Sequence, residues 1–453
     1  MIRTRPGFRP VLATISIVGV AAFVVTLVGC DSGGTSDPGA GAAGPDGGST
    51  VSGSGSGGSA QPNGTGGTAP QPGTGGAGTG GAGPVGGGGG APAPQDGGPS
   101  IDPTGPARTT VLINPAGGLN RPTDLKFNPY GDDQLWITNR GDNSMMILKG
   151  ATSDDRSAEK RIDPSNAHFF DQPTALAFGD KPTTIVDAQG QPVIGTFASC
   201  GESRNGGDDF MGPVMWTPDL RIFGLRKQDR VPPFNGPMAG SLGSHLDMLH
   251  LSPLCTGIAW EGAGNVYWTF AGTNKAFVRY DFRKDHWIGN DNHTDGAEYR
   301  YVFPGQLGYV PGVPSHMSYA VDEKMLYFAD TGNGRIVKFD PSTAAKSATM
   351  RNQDGLTMGP SLEYSGGKLV DVVPKGGMVE KPSGLEVRDQ ALYVTDNARG
   401  TILKFTRAGA LQKMVKIDGL MPGSLAGLTL GPDGKVYFVD MLGNRVLRLE
   451  DKL

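Results

Sequence analysis

The chain is poor in the residues from which chemistry is most easily read. Three cysteines and six histidines are scattered over 453 residues, too few for a disulfide-rich scaffold, and no Cys-x-x-Cys-His haem attachment occurs. A Gly-x-Ser-x-Gly elbow, a phosphate-binding glycine loop ending in Lys-Ser/Thr and a His-Glu-x-x-His zinc motif are all missing. Charged residues make up 19% and sum to a net −4. Neutralising phosphates requires a basic face, so no nucleic-acid partner is expected. Residues 31–105 contain no Lys, Arg, Glu, Phe, Trp or Tyr, yet hold 29 of the 74 glycines. Such a stretch has too little apolar surface to offset the entropy of ordering it, and it is expected not to fold. Its glycines follow no three-residue period, which excludes collagen.

What is present starts at the N-terminus. Arg3, Arg5 and Arg9 precede a mostly apolar run from Val11 to Val28, the layout of a secretory signal sequence. The run ends Leu27-Val28-Gly29-Cys30, which resembles a bacterial lipobox. That resemblance implies cleavage after residue 29 and acylation of Cys30, with an uncleaved signal anchor as the other reading of an apolar run this long. Asp31 resembles the inner-membrane retention signal of enteric bacteria. The expected organisation is a signal peptide at 1–29, a lipidated Cys30 with an unfolded tether to residue 105, and a folded domain at 106–453. The tether would span roughly 50 Å as a random coil. The location implied is the bacterial cell envelope, facing periplasm or exterior, with the lipid anchor in a membrane. The folded part carries 37 basic and 39 acidic residues, so no strong field steers a partner.

From residue 108 a pattern recurs. Its openings are Pro122-Thr123-Asp124-Leu125, Pro173-Thr174-Ala175-Leu176, Cys255-Thr256-Gly257-Ile258, Pro314-Ser315-His316-Met317, Pro382-Ser383-Gly384-Leu385 and Leu425-Ala426-Gly427-Leu428. About ten residues later follows an aromatic strand, as in Leu326-Tyr327-Phe328-Ala329-Asp330 or Val436-Tyr437-Phe438-Val439-Asp440. A polar turn and a third strand come next, as in Gly334-Arg335-Ile336-Val337-Lys338-Phe339. Alternating apolar residues in short strands, with no helical period, mean an all-β repeat. Six units fit the blades of a propeller. The last unit stops after its third strand, and Thr109-Thr110-Val111-Leu112-Ile113 precedes the first unit and alternates like a strand. It is predicted to complete the sixth blade and close the ring.

The pattern resembles the NHL repeat over residues 108–453, which implies a six-bladed all-β propeller. In propellers of this kind the innermost strand begins at the top face and the second strand returns there. The Pro-Thr/Ser columns, and Asp330, Asp396 and Asp440, would then surround the top of the channel. A carboxylate that ends a strand also accepts hydrogen bonds from turn amides, so these aspartates have a structural role open to them. The same geometry sets Cys200 and Cys255 at the top of neighbouring blades, where an oxidising compartment favours a disulfide.

Five of the six histidines fall between residues 245 and 316. His245, Asp247 and His250 belong to an insertion read as lying between blades two and three on the top face. His316 stands in the opening column of blade four. Together these four residues could meet over the channel, and imidazole suits zinc. Peptidyl-hydroxyglycine amidating lyase, an NHL-type six-bladed enzyme, holds zinc with histidines from inner blade positions. Here only His316 lies near such a position, and Gly257, Gly384 and Gly427 offer no ligand. A second cluster, Asp291-Asn292-His293-Thr294-Asp295-Gly296, resembles the start of a calcium loop through Asp291, His293 and Asp295, with Val302 where the bidentate Glu would stand. Strand counting assigns it to the opposite face. Asp124 and Arg140 are candidate ligand-binding residues at the top. Two functions follow. One is a tethered propeller binding a protein, peptide or glycan on its top face. The other is a metal-dependent hydrolase or lyase of the lactonase or amidating-lyase type, with zinc or calcium as cofactor.

Overall fold

A computed structural model describes residues 107–180, 183–204, 211–234, 241–290, 292–351 and 358–453. The signal sequence, Cys30, the glycine-rich segment and Asp291 lie outside the described residues.

Six sheets make up the fold, each built on a four-stranded antiparallel core of innermost to outer strands. The first takes Pro122–Phe127, Gln134–Asn139, Ser144–Lys149 and Ser157–Arg161; the second takes Pro173–Phe178, Phe197–Gly201, Val214–Trp216 and Asp247–Met248. In the fourth and fifth sheets the innermost strands are Met317–Ala320 and Pro382–Arg388. Each innermost strand touches that of the next sheet, and Leu425–Leu430 of the sixth touches Pro122–Phe127 of the first. The ring is closed, and the chain is a six-bladed β-propeller.

Closure is made as the strand pattern predicts. Thr109–Ile113 pairs antiparallel with Arg445–Leu449 as the outer strand of blade six, Thr109 opposite Leu449. The Arg108 guanidinium donates to Asp451 and the Thr110 hydroxyl to Glu450. No sheet edge is left open between the first and last blades.

The apolar residues of the repeat fill the spaces between neighbouring blades, one cluster to each gap. Trp136, Trp216 and Trp268 are fully buried there, as strand tryptophans should be. Between blades one and two, Trp136 packs edge-on against Phe178 and Phe197, at 5.7 and 5.4 Å between ring centres.

The Pro-Thr/Ser columns tie one blade to the next. Thr123 Oγ1 donates to the Pro173 carbonyl at 2.9 Å, Thr174 Oγ1 to the Cys255 carbonyl at 2.7 Å, and Ser383 Oγ to the Pro314 carbonyl at 2.9 Å. A short hydroxyl is needed because the inner strands crowd round the channel. A Cβ on Gly257 would sit 2.1 Å from the Ser315 carbonyl oxygen, and one on Gly384 would sit 2.4 Å from that of Ala426. The aspartate column ends its strands as turn acceptor: Asp396 takes the amides of Glu380 and Lys381, and Asp440 takes that of Gly443 and the Arg445 guanidinium.

Two features depart from the sequence reading. Blade three has six strands, because Ala345–Thr349 and Ser361–Ser365 leave blade four and extend its outer edge, Ser361–Ser365 pairing parallel with Ala297–Val302. The histidine-bearing insertion lies within blade two, since Asp247–Met248 is that blade's own outer strand. It joins the third strand of that blade to the fourth.

Candidate functional site

Two layers of inward positions fill the channel. The first is the third residue of each opening: Asp124, Ala175, Gly257, His316, Gly384 and Gly427. Four of these are Ala or Gly, and the space they leave is crossed by one side chain. His316 reaches from blade four towards blades one and two, its Nε2 3.1 Å from the Thr174 carbonyl oxygen and its Nδ1 3.6 Å from Asp124 Oδ1. Asp124 in turn accepts the Leu125 amide at 2.8 Å and the Leu176 amide at 3.0 Å. Burial draws the His316 pKa below its ordinary value, although Asp124 pulls the other way. The imidazole is therefore neutral at pH 7, and Nε2–H donates to Thr174. The layer is a plug.

Above the plug, Arg140 pairs with Glu202 at 2.8 Å with both side chains largely buried. The Tyr309 hydroxyl and the Gly312 amide also donate to Glu202. Asp124 and Arg140, the two ligand-binding candidates, thus both take part in internal networks at this end.

The second layer lies two residues further along each strand: Lys126, Ala177, Ala259, Ser318, Glu386 and Thr429. Small residues on four blades leave a cavity of about 700 Å³ where the inner strands end, a size that suits a small ligand. The two charged members meet across it. Lys126 Nζ lies 3.4 Å from Glu386 Oε2 and donates to the Leu428 carbonyl at 3.1 Å, while Arg388 stands 3.7 Å from the other oxygen of Glu386. The next residue on each of four consecutive blades is aromatic: Phe127, Phe178, Trp260 and Tyr319, all half-buried and all lining the cavity. The Trp260 indole N–H is satisfied by the Gly264 carbonyl at 2.9 Å, so the indole offers its ring rather than a donor. Asp132 adds an acceptor at the rim, where Asp133 already accepts from Thr152 and Asn128 from the Tyr130 amide. Lys126 and Glu386 were missed in the sequence. Aligning the six openings would have found them, as two charges in a column otherwise small.

The histidines do not gather over the channel. His245 stacks on Phe169 with ring centres 3.8 Å apart and its Nδ1 2.7 Å from the Leu242 carbonyl oxygen. Burial takes its pKa down to about 4. His250 meets His293 edge-on at 5.5 Å. Asp247 Oδ1 lies 3.4 Å from His293 Nδ1, so the insertion and the 291–296 loop share one neighbourhood instead of occupying opposite faces. Both segments join a third strand to a fourth, which is why they converge. Within that loop Asn292 Oδ1 accepts from Thr294 at 3.0 and 2.8 Å, and Asp295 Oδ1 lies 2.6 Å from His286 Nε2. These oxygens do not converge as a calcium loop requires.

Cys200 and Cys255 form a disulfide, Cα atoms 5.7 Å apart, joining blade two to blade three.

No family model and no curated protein matches the chain. Among solved structures, inactive virginiamycin B lyase from Staphylococcus aureus with quinupristin is similar at 14% identity and a TM-score of 0.41, over 76% of this chain and 86% of that one. An auxiliary nutrient binding protein from Bacteroides thetaiotaomicron gives 9% and 0.43 over 75% of each chain. The calcium-binding protein regucalcin from Agrobacterium tumefaciens gives 11% and 0.40, over 76% and 94%. None of these assigns a ligand or a reaction to this chain.

Proposed function

We propose that this protein is an envelope-tethered binding propeller whose ligand site is the cavity where the inner strands end, and that its ligand is a short glycan. The reading rests on one observation: half-buried aromatic residues of four consecutive blades, together with a paired lysine and glutamate, line one cavity of about 700 Å³. The apolar C–H face of a sugar ring packs on an aromatic face such as that of Trp260. Its hydroxyls can both donate and accept, which suits Glu386 and Asp132 on one side and Lys126 and Arg388 on the other. The lipobox-like Cys30 and the glycine-rich segment would hold the domain at the surface of a membrane. The top face supports binding less well, since Asp124 and Arg140 are engaged within the fold. A zinc enzyme using His316 is also less well supported, because Asp124 is the acidic neighbour of that imidazole and spends both oxygens on backbone amides.

Screening the full chain against arrays of short oligosaccharides and peptides tests this. An oligosaccharide is expected to bind and to lose at least about tenfold in affinity with Trp260→Ala or Glu386→Gln. Peptide binding alone, or glycan binding indifferent to both changes, would overturn it.

A further inference from the structure

A buried carboxylate with one idle oxygen marks a second site. Asp247 is fully buried; its Oδ1 takes the Met248 amide at 2.7 Å, while its Oδ2 has no hydrogen-bond partner. Such an atom is costly to bury unless something charged or polar meets it. Asp247, His286 and Asp295 offer donor atoms within 4.8 Å of one another, the one such group of three found among the described residues. His286 Nδ1 is likewise buried without a hydrogen-bond partner.

We propose that Asp247, His286 and Asp295 bind a first-row divalent cation, zinc being the ion that best matches two carboxylates and an imidazole. Two carboxylates and a neutral imidazole balance a charge of +2, and this mixed oxygen–nitrogen set is one that zinc accepts. The position is built. The chain around His286 is anchored to the blade-two insertion by the His286 amide donating to the Leu246 carbonyl at 3.1 Å and the Gly289 amide to the His245 carbonyl at 2.7 Å. The Asp295 side chain remains about one-third exposed, which gives the ion a way in. Asp247 belongs to blade two and the other ligands to the blade-three loop, so the ion would bridge the same two blades as the disulfide. This site is separate from the glycan cavity and does not depend on it.

Equilibrium dialysis of the untagged full chain against zinc, followed by elemental analysis and melting with and without zinc, decides the matter. One zinc per chain and a zinc-dependent rise in melting temperature are expected. His286→Ala or Asp295→Asn should weaken zinc binding by at least about tenfold and remove the rise, while His316→Gln should change neither. Asp295→Asn alters a partly exposed group without changing its size, so it keeps the test valid should His286→Ala fail to fold. No zinc after loading, zinc retained undiminished in Asp295→Asn, or zinc lost with His316→Gln would each overturn the proposal.

Discussion

Gly257 and His316 occupy the same column of the repeat and show what that column tolerates. At Gly257 any Cβ would press on a backbone oxygen 2.1 Å away, and backbone cannot swing aside. Gly257→Ala is expected to cost about 3 kcal/mol by overpacking and to lower the melting temperature of a domain this size by about 4 °C, read by calorimetry. At His316 the opposite blade carries Asp124 and its neighbours are small, so the same column admits an imidazole. The folded His316 pKa lies below its unfolded value, so the unfolded chain takes up the proton first as pH falls. The stability associated with the neutral ring is present above the unfolded pKa near 6.5 and is lost as pH drops below it. Melting between pH 7 and 5 should therefore fall less steeply in His316→Gln than in the native chain; equal slopes would show that this ring does not titrate against folding. The column was legible in the sequence as a column. The meeting of His316 with Asp124 was not, because it depends on which residues face each other across a ring.

At the scale of elements, the closing strand and the disulfide were readable because each follows from local pattern plus the order of strands. Thr109–Ile113 alternates and the sixth unit lacks an outer strand. A chain beginning at residue 116 should melt well below one beginning at residue 107, and equal melting would mean that blade six holds without its outer strand. Cys200 and Cys255 enclose a sequence separation of 55 residues. Loop-closure entropy makes their bond worth about 4 kcal/mol, so Cys200→Ala/Cys255→Ala should show a lower denaturant midpoint by that measure. The insertion of blade two was misplaced because its outer strand, Asp247–Met248, is only two residues long and shows no alternation. The added strands on blade three were invisible for a different reason. Ala345–Thr349 is wholly exposed and carries no buried face to pattern.

Taken whole, the ring presents two unlike ends. One is sealed by the His316 plug and the Arg140–Glu202 pair; the other opens into the aromatic cavity. The architecture could be inferred from the repeat, since six similar units need neighbours to bury their faces. The cavity could not be found that way, because a pocket at the axis is made by what six strands omit together. The ion pair there gives a further outcome to check. If Lys126 and Glu386 both face the ligand, exchanging them (Lys126→Glu with Glu386→Lys) should keep the fold within about 1 kcal/mol yet lower glycan affinity at least about tenfold, by isothermal titration.

The pairing of Thr109 with Leu449 also bears on how the domain assembles in time. The first strand of the domain to be synthesised cannot find its partner until the last one has emerged. Bringing together ends about 340 residues apart carries a loop-closure cost of roughly 5 kcal/mol, and contacts so distant in sequence slow folding. Blades one to five can stack as they appear, whereas the sixth waits. A permuted chain that begins at residue 116 and carries 107–115 appended after Leu453 makes this strand pairing local. It should refold faster than the natural order while reaching the same final stability.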